Sequence, residues 1–229
     1  MRYLTTVFFL IVTIQLSQSQ THEIGVFLGG SNFIGDVGAT NYIAPNQLAV
    51  GGIYKWNRSA RHSFRFSLMY SDLEMNDLKS DDPRRQERGY KINNDIVEAS
   101  VGLEFTFFDF NLHDEKNKVT PYLYSGISVA YHDNYFFTPG GELRSEDTSS
   151  FAYGIPMVFG VKAKFMDNFV LAAEIGARYT FSDEIDGSAP DFDNDSNLAF
   201  GNKNNNDWYV FTGLTLTYTF GRKPCYCVF

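Results

Sequence analysis

The sequence predicts an all-β protein, an eight-stranded antiparallel transmembrane β-barrel of the outer-membrane type with long external loops and short periplasmic turns. Three observations predict it. Eight segments alternate apolar and polar residues with period 2. The connections between them run long, short, long, short, long, short, long, as in a barrel with an even strand number. The alternation also has the opposite sense to a soluble barrel such as a lipocalin: the apolar faces are continuous and the opposite faces carry the charges.

The first strand, Glu23 to Gly30, sets Ile24, Val26 and Leu28 against Glu23, Gly25, Phe27 and Gly29. A Gly/Asn-rich connection, 31–46, precedes the second strand, Gln47 to Trp56. The turn 57–61 leads to the third strand, His62 to Asp72, where Phe64, Phe66, Leu68 and Tyr70 share a face. The polar stretch 73–94 reads as a long loop. The fourth strand, Asp95 to Phe110, sets Val97, Ala99, Val101, Leu103, Phe105 and Phe107 against Glu98, Ser100, Gly102, Glu104 and Thr106. A charged turn, 111–118, gives way to the fifth strand, Val119 to His132. The third long connection is 133–150. The sixth strand, Phe151 to Phe165, and the seventh, Phe169 to Phe181, flank a tight turn at 166–168. An Asp/Asn-rich loop, 182–206, precedes the last strand, Asp207 to Phe220. There Leu214, Leu216, Tyr218 and Phe220 oppose Gly213, Thr215, Thr217 and Thr219. On its own this last segment also fits a soluble edge or sandwich strand.

Composition narrows the class. The chain has 229 residues, 14 Tyr, 22 Phe and 2 Trp, enough for one domain. Its mean hydropathy is slightly negative, which argues against helical spans of about 20 apolar residues. Met1 to Gln20 places one positive charge before an apolar run and then small polar residues, with Ser17 and Ser19 suiting a signal peptidase site. The expected division is a signal peptide at 1–19, a barrel at 20–220 and a periplasmic tail at 221–229, giving export to the outer membrane without a lipid anchor. Formal charge is -8, and the absence of a basic run excludes a nucleic-acid partner.

The charges on the polar faces are Glu23, Lys55, Arg65, Glu98, Glu104, Lys162, Lys164, Glu174 and Arg178. Acids and bases nearly cancel, as a closed lumen requires, because an isolated buried charge is costly. They read as a structural network; an ion path would need a ring of one sign. An eight-stranded interior is just filled by side chains, so the barrel cannot conduct a folded protein. Outer-membrane lipids are the implied surroundings.

Chemical motifs are sparse, and no cofactor, metal or small-molecule substrate is implied. His22, His62, His113 and His132 fall at strand ends and turns, and neither G-x-S-x-G nor H-E-x-x-H occurs. His132 beside Asp133 is the one pair that a lipid-modifying enzyme would use. Asp191-Phe-Asp-Asn-Asp195 opens like a calcium loop, but Ser196 and Asn202 stand where Gly and Glu are expected. Arg84, Arg85 and Arg88 could meet lipid phosphates, though Asp81, Asp82 and Glu87 offset them. Cys225 and Cys227 are spaced for half a zinc site at best, or for pairing with another chain. With Arg222, Lys223, Tyr226 and Phe229 they form a tail that could touch a periplasmic partner.

Four strings carry a resemblance: Glu23-Ile-Gly-Val-Phe-Leu-Gly-Gly-Ser-Asn-Phe-Ile-Gly-Asp36, Gly51-Gly-Ile-Tyr-Lys-Trp-Asn57, Ile96-Val-Glu-Ala-Ser-Val-Gly-Leu-Glu-Phe105 and Thr120-Pro-Tyr-Leu-Tyr-Ser-Gly126. They resemble the PorG-like outer-membrane barrels of the Bacteroidetes type IX (Por) secretion system, over about residues 22 to 220. The Cys-containing tail has no counterpart in that pattern. The resemblance implies a non-enzymatic subunit that anchors or positions a periplasmic ring, built from a lipoprotein and its partner protein, and that is not the conducting channel. The readings left beside it are a structural or adhesive barrel acting through its external loops, and the lipid-modifying enzyme.

Overall fold

The computed structural model describes residues 21–112, 118–190, 198–202 and 205–221. Eight antiparallel strands close into a barrel in sequence order. They are β1 (Thr21–Ile34), β2 (Gln47–Asn57), β3 (His62–Asn76), β4 (Lys91–Thr106), β5 (Val119–Phe137), β6 (Leu143–Met166), β7 (Phe169–Thr180) and β8 (Trp208–Phe220). Closure comes from β1 on β8, in register from His22 opposite Phe220 to Ile34 opposite Trp208. The leader at 1–19 and the tail from Arg222 lie outside the described residues.

Period-2 alternation decides the two surfaces. Along β3 every second residue is buried, and those residues, including Ser63, Arg65, Ser67, Met69 and Ser71, point into the bore. The others point outward: Phe64, Phe66, Leu68 and Tyr70 are 46–50% exposed. The same holds around the barrel, with Ile24, Val26, Leu28, Val101, Leu103, Ile127, Phe159 and Leu214 all exposed. An apolar belt of this extent is unstable in water and suits hydrocarbon. Aromatics rim it. Tyr70, Tyr131, Phe151, Tyr153, Phe181 and Trp208 mark the external end. Tyr54, Trp56, Phe64, Phe105, Phe107, Phe165, Tyr218 and Phe220 mark the periplasmic end, as in the girdles of outer-membrane barrels.

The strands outrun their expected external limits. The segment 73–94, expected as loop, continues β3 to Asn76 and begins β4 at Lys91. Here Leu73, Met75 and Ile92 keep the alternation and pack inward above the belt. Between them lie a 3-10 turn, Asp77–Lys79, and a short helix α1, Pro83–Arg88. Asp82 caps α1 by accepting from Arg84 N, and Gly89 ends it at φ 68, a left-handed position that glycine adopts without strain. The connection 133–150 is mostly strand as well. β5 and β6 run on as a hairpin, with Phe137 opposite Leu143 and a register shift between Asp133 and Tyr135.

At the periplasmic end β4 stops at Thr106, not Phe110. Phe107 and Phe110 continue an apolar rhythm that sequence cannot distinguish from strand. Phe110 instead turns into the mouth of the bore. Its N–H donates to Ala60 O at 3.0 Å, and it packs with Leu112 and Val170.

Candidate functional site

Two buried polar regions stand out, the bore and the cap over its external mouth. The bore is filled by charge pairs. Glu104 on β4 takes Lys55 on one oxygen and Lys162 on the other, both at 2.7 Å, with Arg65 at 3.9 Å. Arg65 forks onto Glu174 at 2.8 and 2.9 Å, and the Tyr122 hydroxyl donates to the same carboxylate at 2.6 Å. Closer to the outside, Arg178 Nε meets Glu98 at 3.1 Å and the Tyr209 hydroxyl donates to Glu98 at 2.6 Å. Closer to the periplasm, Glu23 accepts from Thr217 at 2.7 Å and from Asn57 at 2.8 Å.

Aromatic faces complete the packing. The Arg65 guanidinium lies 4.8 Å from the Tyr124 ring centre, Arg178 lies 4.5 Å from Phe211, and Lys162 lies 5.0 Å from Phe110. Charges removed from water need partners with full geometry, and the four carboxylates are met by four cations and three hydroxyls. Gly160 opposite Tyr122 makes the central pair possible, since a Cβ there would sit 2.4 Å from the ring. Lys164, expected among these charges, is only half-buried, at the periplasmic rim.

The cap joins the external connections. Asp77 accepts from Gly38 N at 2.8 Å and Tyr90 N at 3.1 Å. It also takes both arms of Arg88, at 2.7 and 3.0 Å. Arg88 reaches Asp36 O at 2.7 Å and Arg85 reaches Gly38 O at 2.8 Å. Two of the three arginines of this mixed-charge segment, Arg85 and Arg88, therefore tie loops together. From the last external loop, Asp186 accepts from Asp36 N and Val37 N at 2.7 and 3.0 Å, and Asp207 accepts from Ile185 N at 3.0 Å. Asn94 donates to Asp133 O and Ile185 O, both at 2.9 Å. Tyr90 stacks on Phe137 with centres 4.0 Å apart, and Phe200 meets both edge-on.

The cap carboxyls titrate abnormally. Burial and the neighbouring Asp186, Asp36 and Glu184 push Asp183 up to about 7. Burial raises Asp186 despite its backbone donors, and burial with Asp186 and Asp183 raises Asp207 well above the usual carboxylate range. Backbone N–H groups, rather than cations, hold Asp186 and Asp207. This follows from a lopsided charge distribution. Residues 35–46, 71–95, 133–150 and 181–207 hold 19 of the 27 acidic residues and 7 of the 19 basic ones.

The described histidines lie apart from one another. His132 points into the bore, 1% exposed, whereas the Asp133 side chain is on the outer face, accepting from Ser149 at 2.7 Å. Adjacent strand residues face opposite ways, so this pair is not a dyad. His22 stacks against Tyr54 and Phe220 at the periplasmic rim, and His62 shares a 3.2 Å contact with Ser59. His113, Asp191 to Asp195 and the tail, with Arg222, Lys223, Cys225, Tyr226, Cys227 and Phe229, lie outside the described residues. No three His, Cys, Asp or Glu among the described residues come together to hold a metal ion.

Sequence reasoning placed the bore charges on one set of faces but missed the cap. Asp82-Pro83 is a helix-start signal that marks α1. Nothing in the spacing of Asp36, Asp77, Asp186 and Asp207 shows that they meet.

Among solved structures, the chain is similar to the Ail attachment invasion locus protein of Yersinia pestis crystallised with sucrose octasulfate. The identity is 14% over 90% of this chain and 100% of that one, with a TM-score of 0.44. It is also similar to a major outer membrane protein from Thermus thermophilus, at 12% identity over 88% and 100% with a TM-score of 0.47. A third is Neisserial surface protein A, at 12% over 89% and 96% with a TM-score of 0.42. No curated protein matches the sequence. The belt, the girdles and the closed sheet make this an eight-stranded barrel of the outer-membrane type, and by a family model matching residues 1–229 the chain belongs to DUF6089, a domain of unknown function.

Proposed function

We propose that this protein is a non-conducting outer-membrane subunit that anchors or positions the periplasmic lipoprotein ring of a type IX secretion system. The observation that carries the non-conducting part is the filled bore. Arg65, Glu104, Glu174, Lys162 and Tyr122 occupy its middle and Phe110 its periplasmic mouth, as expected of an eight-stranded interior that side chains just fill. A barrel without a path works through its surfaces. The type IX assignment rests on the resemblance of the four strings between Glu23 and Gly126. The periplasmic turns and the tail beyond Phe220 are the surfaces that would meet the ring.

The test is a deletion strain combined with a pull-down from detergent-solubilised outer membrane, with and without reductant. The proposal expects lost secretion, an intact membrane and recovery of a periplasmic lipoprotein ring. Normal secretion in the deletion strain would overturn it.

A second reading, a structural or adhesive barrel acting on the outside, is favoured by the interlocked cap. Trimming the external loops at 77–90 and 182–206 would then abolish function while trimming 222–229 would not. The anchoring reading expects the reverse.

A further inference from the structure

The two edges of β6 are unequal. On one side β5 accompanies it as far as Leu143. On the other, β7 stops at Thr180 opposite Gly154, and one further bond follows, Phe181 N to Tyr153 O at 2.8 Å. The chain then turns away over the bore, where Ser182 O accepts from Asp207 N and Asp207 accepts from Ile185 N. Above Tyr153 no described strand lies beside β6.

The ladder geometry identifies the free groups. Tyr153 O points toward β7, and in an antiparallel ladder alternate residues face the same edge. The N–H and C=O of Phe151 and Ser149 therefore point to the side where no described strand lies, while Ser150 and Ala152 point to β5, opposite His132 and Ala130. Sheet edges of this kind are templates for another strand, and proteins that avoid pairing blunt them with bulges and charge. The tip of the β5–β6 hairpin is blunted, by the register shift and by Asp147 at φ 57. The blunting ends at Thr148. From Ser149 to Tyr153 the edge is regular, and Phe151 and Tyr153 are 61% and 65% exposed beside it.

The flanks identify the partner. Asp147 stands above the edge on β6, Asp133 lies across from Ser149, and Asp183 follows the end of β7. The external segments as a whole carry 19 acids against 7 bases. A second copy in the same membrane shares this charge and could approach only with β6 parallel to β6. An extended cationic peptide has neither restriction.

We propose that the Ser149–Tyr153 edge of β6 is a docking site for an extended, lysine- or arginine-bearing polypeptide segment presented from outside the cell, which adds as a strand. Backbone bonds to Ser149 and Phe151 supply the pairing, the Phe151 and Tyr153 rings cover its alternate side chains, and the acidic flank selects its charge. This is independent of the type IX assignment.

The test uses the full mature protein in nanodiscs of neutral lipid. The probe is a blocked peptide alternating valine and threonine with lysine at both ends, compared with the same peptide ended by glutamate. Binding is read by fluorescence anisotropy and by exchange of the Ser149 and Phe151 amides. The proposal expects both amides to exchange freely in the protein alone and to be protected by the lysine peptide, with at least about tenfold weaker binding of the glutamate peptide. Peptides N-methylated at alternate residues leave the protein untouched. One methylation register should abolish binding and the other should spare it. Equal effects of both registers, protection of the amides in the protein alone, or β6-mediated dimers in the nanodisc would each overturn it.

Discussion

The bore and the cap both bury acids, and they stabilise them differently. In the bore Glu98, Glu104 and Glu174 face Arg178, Lys55, Lys162 and Arg65 across strands that are themselves locked by the ladder. In the cap Asp77 has such a cation, Arg88; Asp186 and Asp207 rest on backbone donors of neighbouring loops. Cross-strand ion pairs in a closed barrel are fixed by the strands that carry them. Carboxyls held by backbone N–H groups among other carboxyls depend on protonation. The bore is therefore held by fixed charge pairs, and the cap by carboxyls whose protonation matters.

The largest effect separating the two regions should come from Glu104→Ala, which strands two buried cations, Lys55 and Lys162. Breaking a buried pair costs about 3–5 kcal/mol, read as a lower denaturant midpoint of the barrel in detergent. Removing both sides of a pair, as in Arg65→Met with Glu174→Met, should recover most of the loss, because the uncompensated charge disappears with its partner. Next is Gly160→Val, which pushes against the Tyr122 ring; overpacking costs about 1–3 kcal/mol and should also free the Tyr122–Glu174 bond. Cap changes should be smaller and local. Asp77→Ala leaves Arg88 without its carboxylate and the N–H groups of Gly38 and Tyr90 without their acceptor, at about 1–3 kcal/mol of loop stability. Faster protease cleavage in 77–90 with an unchanged barrel midpoint is the expected signature; a shifted midpoint would show that the two regions are one unit.

The smallest effect is that of pH. Asp183 in the folded cap titrates at about 7, above the ordinary carboxylate value near 4. The folded cap thus binds more protons than the open one. Its stability is full below about pH 4 and is lost as pH rises through about 7. Protection of the Val37 and Ile185 amides, corrected for intrinsic exchange, should fall over that window, while protection at Val101 and Ile127 should not.

The contrast also explains what was legible in the sequence. Strand faces are a local property, so Glu98, Glu104, Glu174, Lys55, Arg65, Lys162 and Arg178 could be assigned to the lumen by counting in twos. Lys164 shares that face but is half-buried at the periplasmic rim, because the count says nothing about where the bore ends. The extensions of β3 to Asn76 and β5 to Phe137 were hidden by polar residues, which a strand above the membrane tolerates on its outward face. The cap was illegible because Asp36 and Asp186 lie far apart in the chain and meet only through the barrel's closure.

The most direct test of the sealed bore is single-channel recording of the purified protein in planar bilayers. The account predicts no conductance steps for the natural protein at neutral pH, and steps for a Glu104→Ala, Lys162→Ala, Phe110→Ala variant that removes the central pair and the periplasmic stopper. A stable open conductance in the natural protein would contradict it.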